Sequence, residues 1–99
     1  MAFDPGTLSS ALAVAAGHDR TLIDELRAAF LESAAHHADL LARSRCDANW
    51  RLAAGRLKGL AASFGLEELV LIAAQAENGA PGDPVVRRRI TQAIAELAG

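Results

Sequence analysis

Residues Trp50–Gly65 read WRLAAGRLKGLAASFG. Turned by about 100° per residue, the stretch is a helix with two unlike faces. Trp50, Ala53, Ala54, Leu57, Leu60, Ala61 and Phe64 gather on the side a bundle core would take. Gly55, Gly59 and Ala62 gather on the opposite side with Leu52 beside them. Arg51 and Lys58 flank that strip on one edge, and Arg56 on the other. A glycine inside a helix costs about 0.8–1.0 kcal/mol relative to alanine. Two glycines one turn apart therefore imply close approach to the backbone, by a docking partner or by another part of the same domain. The flanking charges favour a partner, because Arg51 and Lys58 would be awkward inside a core.

The rest of the composition agrees with a helical domain. The chain has 99 residues, 52% of them hydrophobic, with three Phe, one Trp and no Tyr. Its apolar weight is Ala and Leu, which favours helices over sheet. One domain spanning 1–99 is expected at this length. The net charge of −2 offers no field for nucleic-acid or membrane binding. A single Cys excludes an intramolecular disulfide and fits a reducing compartment. No apolar run reaches the roughly 18–20 residues of a membrane span, and no basic-then-apolar leader opens the sequence. The expectation is a cytoplasmic, monomeric protein without cofactor or metal.

Helix punctuation divides the chain. Asp4-Pro5 predicts an N-cap and first turn, with Leu8, Leu12 and Ala15 as an apolar edge that Gly17 ends. A long helix follows from Thr21 to Ser44, with Thr21 and Asp24 as a capping box. Its stripe is Ile23, Leu26, Phe30, Ala34, His37 and Leu41, widened by Leu22, Ser33 and Leu40. Asp39 and Arg43 are spaced as an i,i+4 pair. Asp47 is the expected N-cap of the third helix and Gly65 its left-handed C-cap. A fourth helix over about 66–78 turns Leu66, Leu69, Val70, Ala73 and Ala76 inward. Gly79–Gly82 is a turn, and Asp83-Pro84 opens a last helix with the stripe Val86, Ile90, Ala93, Ile94 and Leu97. Short links predict an all-α, antiparallel up-down-up-down four-helix bundle, capped at one end by the short N-terminal helix.

Other candidate residues carry less. His36 and His37 point about 100° apart on a helix and cannot chelate one metal together. Glu32 with His36 is a weak metal pair, His37 falls at the core margin, and His18 lies in a loop. Arg87-Arg88-Arg89 is a basic run at a helix start, slightly unfavourable with the macrodipole. It lacks the aromatic platform or wider basic patch of a nucleic-acid site. No nucleophile–base pair, phosphate loop or carboxylate pair indicates an ordinary enzyme active site.

Residues Ala54–Gly65 resemble the signature of histidine-containing phosphotransfer (HPt) domains, whose active helix carries His-x-x-Lys-Gly. Lys58-Gly59 matches its Lys-Gly pair. Phe30-Leu31-Glu32 resembles the family's Phe-Leu-Glu ahead of that helix, Asp47–Trp50 its lead-in, and Leu66–Leu69 the start of the helix after it. The resemblance runs from about Thr21 to Leu97. It implies a helical bundle in two-component signalling, with the lysine near a phosphoryl group and the glycine leaving space beside the histidine. It also places Gly55 where that histidine would stand, and Leu60 where a small residue is usual. Imidazole serves there because it is nucleophilic when neutral near pH 7. Glycine has no side chain to phosphorylate.

The resemblance therefore implies a pseudo-HPt protein that does not catalyse transfer but docks a response-regulator receiver domain or a sensor histidine kinase. Arg51, Leu52, Gly55, Arg56, Lys58, Gly59 and Ala62 would form the docking face. Three alternatives stay open: an active carrier using His36 or His37, an engineered replacement of histidine by Gly55, and a helical oligomerisation module using the glycine strip.

Overall fold

A computed structural model describes the backbone of residues 5–99 and the side chains from residue 8 onward. It forms five helices: α1 (Pro5–Ala16), α2 (Arg20–Arg43), α3 (Asp47–Ser63), α4 (Glu67–Asn78) and α5 (Pro84–Ala98). Among the described residues there is no strand. The fold is an all-helical bundle. Each of α2–α5 packs on the next in sequence, and α5 closes the ring by packing on α2. The 24-residue α2 is about 36 Å long at 1.5 Å per residue, and it accounts for most of the 42 Å long axis. Helix α1 packs on α2 and α5, on the side of the bundle away from α3 and α4.

The core follows the stripes. Phe30, Ala34 and Leu41 of α2 meet Trp50, Ala53, Ala54, Leu57 and Ala61 of α3. Leu69, Ile72, Ala73 and Ala76 of α4 join them, as do all five stripe residues of α5. Phe30 and Phe64 meet edge to face with ring centroids 5.0 Å apart, a favoured aromatic geometry. Trp50 is 1% exposed, and its Nε1–H donates to the Ala76 carbonyl at 2.6 Å. A buried indole needs such an acceptor, and this one ties α3 to the last turn of α4. Val70, expected to face in, is half-buried against the core, and Ile72 takes a fully inward place.

Several helix ends differ from expectation. The cap of α2 is Asp19, whose Oδ1 accepts from the Leu22 N–H at 3.1 Å. Thr21 lies inside the helix, because Asp19 already meets the amide three residues on. Cys46 is the N-cap of α3 and makes no side-chain cap. Asp47 is the first helical residue instead, where its charge still complements the dipole. Ala16 rather than Ala15 is buried at the end of α1, and the expected cap Asp4 lies outside the described residues. Helix α4 begins at Glu67, with Leu66 as its N-cap.

The expected turns hold. Gly17 is left-handed at φ 62°, and His18 beside it at φ 68°. Gly65, at φ 67°, forms a two-bond Schellman turn: its N–H donates to Ala62 O at 3.1 Å and the Leu66 N–H to Ala61 O at 3.0 Å. Asp83 caps α5 by accepting from the Val85 N–H at 2.9 Å. Asp39 and Arg43 form their exposed pair at 3.1 Å.

Candidate functional site

The outer face of α3 is built by the glycine-bearing half of its helical repeat. Burying Trp50, Ala54, Leu57 and Ala61 fixes the helix rotation and turns the other half outward. Arg51, Arg56, Gly59 and Ala62 are exposed, and Leu52 is 53% exposed. Gly55 and Lys58 are half-buried.

The two glycines have different surroundings. Among the described residues outside its own helix turns, none comes within 4 Å of a β-carbon built on Gly59. Its backbone lies open, with the carbonyl bonded by the Ser63 hydroxyl at 2.9 Å. A β-carbon built on Gly55 would stand 2.8 Å from Oε2 of Glu77, closer than a side chain tolerates without movement. The close approach to Gly55 thus comes from α4 of the same domain.

Glu77 also holds Lys58. Lys58 Nζ donates to Glu77 Oε1 in a short, half-buried ion pair. One carboxylate of α4 therefore lies over Gly55 and neutralises the lysine three residues further along α3. Glu77 stands in the last turn of α4, where the carbonyl ends of the helix disfavour an anion and no basic residue of α4 compensates. Lys58 supplies the missing positive charge from the neighbouring helix. Sequence reading passed over Glu77. Its one local signal was an acid at the unfavourable end of a helix.

Arg56 borders a second feature. A groove of about 320 Å³ runs between α2 and α3, lined by Leu40, Arg43, Leu52, Ala53 and Arg56 among others. His37 faces this side of α2. Its pKa lies below the ordinary 6.5, first through burial and then through the like charges of His36 and Arg56. The imidazole is therefore neutral at pH 7, and its buried Nδ1 has no hydrogen-bond partner among the described residues. His36 is exposed, its ring centroid 5.8 Å from that of His37. Among the described residues no three His, Cys, Asp or Glu cluster as a metal site would need, and no helix is long and apolar enough to cross a membrane.

The basic run of α5 is divided. Arg89 Nη1 donates to Gln75 Oε1 of α4 at 2.7 Å, Arg87 is half-buried, and Arg88 is exposed. Part of the run thus bridges α4 and α5 at the surface of their seam.

The described residues thus form an all-helical bundle with a lysine–glycine pair on the outer half of α3. The chain belongs to the Hpt domain family, whose model matches residues 25–99, and this makes it a phosphorelay-related protein. No curated protein and no solved structure gives a significant match to the chain.

Proposed function

We propose that this protein works in a phosphorelay by docking rather than by carrying phosphate. Gly55 stands at the position of the phosphoaccepting histidine, so the outer face of α3 binds a response-regulator receiver domain or a sensor histidine kinase without accepting a phosphoryl group. On this reading the protein is a monomeric cytoplasmic adaptor or competitor that requires no cofactor, with α2–α5 alternating in direction across their short links. The observation that carries the reading is the contrast along α3. The backbone at Gly59 is open, beside exposed Arg51, Arg56 and Leu52, while position 55 offers no nucleophile and lies under Glu77. A receiver's acidic pocket would meet the two arginines, and its apolar rim would meet Leu52 and Ala62.

The test is a titration of purified receiver domains and kinase dimerisation domains from the source cell, with and without receiver phosphorylation. Gly59→Arg places a long charged side chain on the open strip, and among the described residues outside its own helix turns its β-carbon meets nothing within 4 Å. Binding should be lost while the helical circular dichroism is kept. Unchanged affinity in this variant defeats the docking face.

Carriage on His37 is the second reading, favoured by its neutral imidazole. It predicts acid-labile label on the protein after incubation with a phosphorylated receiver. Absence of label, or label that survives loss of both His36 and His37, removes it.

A further inference from the structure

Docking alone leaves Glu77 without a task, although it makes the only ion pair between helices among the described residues. One carboxylate oxygen, Oε1, accepts from Lys58 Nζ, and the other, Oε2, lies 2.8 Å from where any side chain at position 55 would begin. Its backbone is held as well. The Ala76 carbonyl, one residue earlier, accepts from both Trp50 Nε1 and the Gly79 N–H.

We propose that Glu77 is a specificity-determining residue of this face, a built-in anion that occupies Lys58 and excludes a phosphorylated side chain from position 55. The inference rests on the reading of position 55 as the acceptor position. The obstacle is one of charge rather than of space. Glu77 meets position 55 with the far end of a flexible side chain, and a rotamer change makes room for a larger residue. Its charge remains close by, because the Trp50 bond fixes the α4 backbone. A phosphorylated residue carries close to two negative charges near pH 7. At position 55 it would share a half-buried site with the Glu77 carboxylate and the carbonyl end of α4, all of one sign. Lys58 is the cation bonded there, and Glu77 already holds it. A partner that docks here therefore meets a fixed anion–cation pair whose charge does not depend on the phosphorylation state of this protein.

The experiment compares Gly55→His with Gly55→His/Glu77→Gln in the full chain. Glutamine keeps the shape of glutamate and removes its charge. Potassium phosphoramidate serves as phosphodonor, so no partner has to be known. The imidazole nitrogen attacks phosphorus, the P–N bond breaks, and ammonia leaves and takes up the imidazole proton as ammonium. Acid-labile phosphohistidine is measured by intact mass, and circular dichroism checks that both variants fold. The double variant should label at least roughly tenfold faster than the single one, the scale of a like charge at contact distance. The introduced imidazole should also titrate at higher pH in the single variant, because a neighbouring carboxylate favours its charged form.

Labelling of both variants at equal rates overturns the role of Glu77, whatever the titration, and leaves position 55 as an acceptor position. Failure of both variants to label, with the titration difference present, overturns the acceptor reading of position 55 and, with it, the exclusion assigned to Glu77. The titration difference would then establish only that Glu77 lies beside that position.

Discussion

Substituting alanine at each of the two α3 glycines separates the reasons they are there. Gly59→Ala adds a methyl group to open space and removes the conformational freedom of glycine in mid-helix. The gain should be the full helix-propensity difference, about 0.8–1.0 kcal/mol. Gly55→Ala brings the same propensity gain, but its β-carbon falls 2.8 Å from Glu77 Oε2 and drives the carboxylate off Lys58. The side chains of that pair are 37% and 27% exposed, so solvent screens it and its loss amounts to about 0.2–1 kcal/mol. Gly55→Ala should therefore gain less than Gly59→Ala by that amount, and its net effect should be small. Urea unfolding followed by the fluorescence of the buried Trp50 measures both. A gain near 1 kcal/mol corresponds to about 4–8 °C in Tm for a domain of this size. In a Glu77→Ala background no carboxylate remains to displace, and the two substitutions should become equivalent. Equal gains in the wild-type background would refute the account of Gly55. So would a gap that persists when Glu77 is absent.

His37 and Arg27 give two further outcomes. His37 has a folded-state pKa depressed below 6.5, so the unfolded chain binds its proton more readily. The stability tied to the neutral imidazole is full above pH 6.5 and is lost as pH falls from there through the depressed folded-state value. Urea denaturation between pH 8 and 5 should show this slope, and His37→Gln should flatten it; identical slopes would count against the buried site. Arg27 spans three helices, donating to Leu97 O at 2.9 Å and to Ser9 Oγ at 3.0 Å. Arg27→Ala should destabilise by about 1–2 kcal/mol, with faster amide exchange in α1 and at the end of α5 than in α3. Protection lost evenly across the bundle would show that Arg27 is no local clasp.

The helices and their inner stripes could be read from the sequence because each rests on local periodicity. The α5 stripe is complete, and every fully buried position of α3 lies on the inner side of the helical wheel. Helix ends were harder. Asp19 and Thr21 are both good caps two residues apart, and sequence gives no way to weigh them. Ala15 and Ala16 differ by one helical step and have identical side chains, so burial alone distinguishes them. That Gly59 faces outward was legible for the same reason as the core. That Glu77 half-buries Gly55 and Lys58 was not. That depends on the register of α4 against α3, which is set by the Gly65 turn and by the bond from Trp50 to Ala76.

This register changes the electrostatic character of the proposed docking face. A lysine beside two glycines suggests a bare cation awaiting an anion. Held by Glu77, Lys58 contributes a dipole, and the unpaired positive charge of the face moves to Arg51 and Arg56 on either side of the strip. Arginine presents a planar fork of donors and lysine a single point charge, so recognition of a partner's carboxylates shifts toward directed bonds along the two edges. Between those edges the open Gly59 backbone and Leu52 offer shape and apolar area. A partner suited to this face is thus selected by its contour and by the placing of its acids. Removing an edge arginine should weaken it more than removing Lys58 and Glu77 together, because that pair adds no net charge to the face.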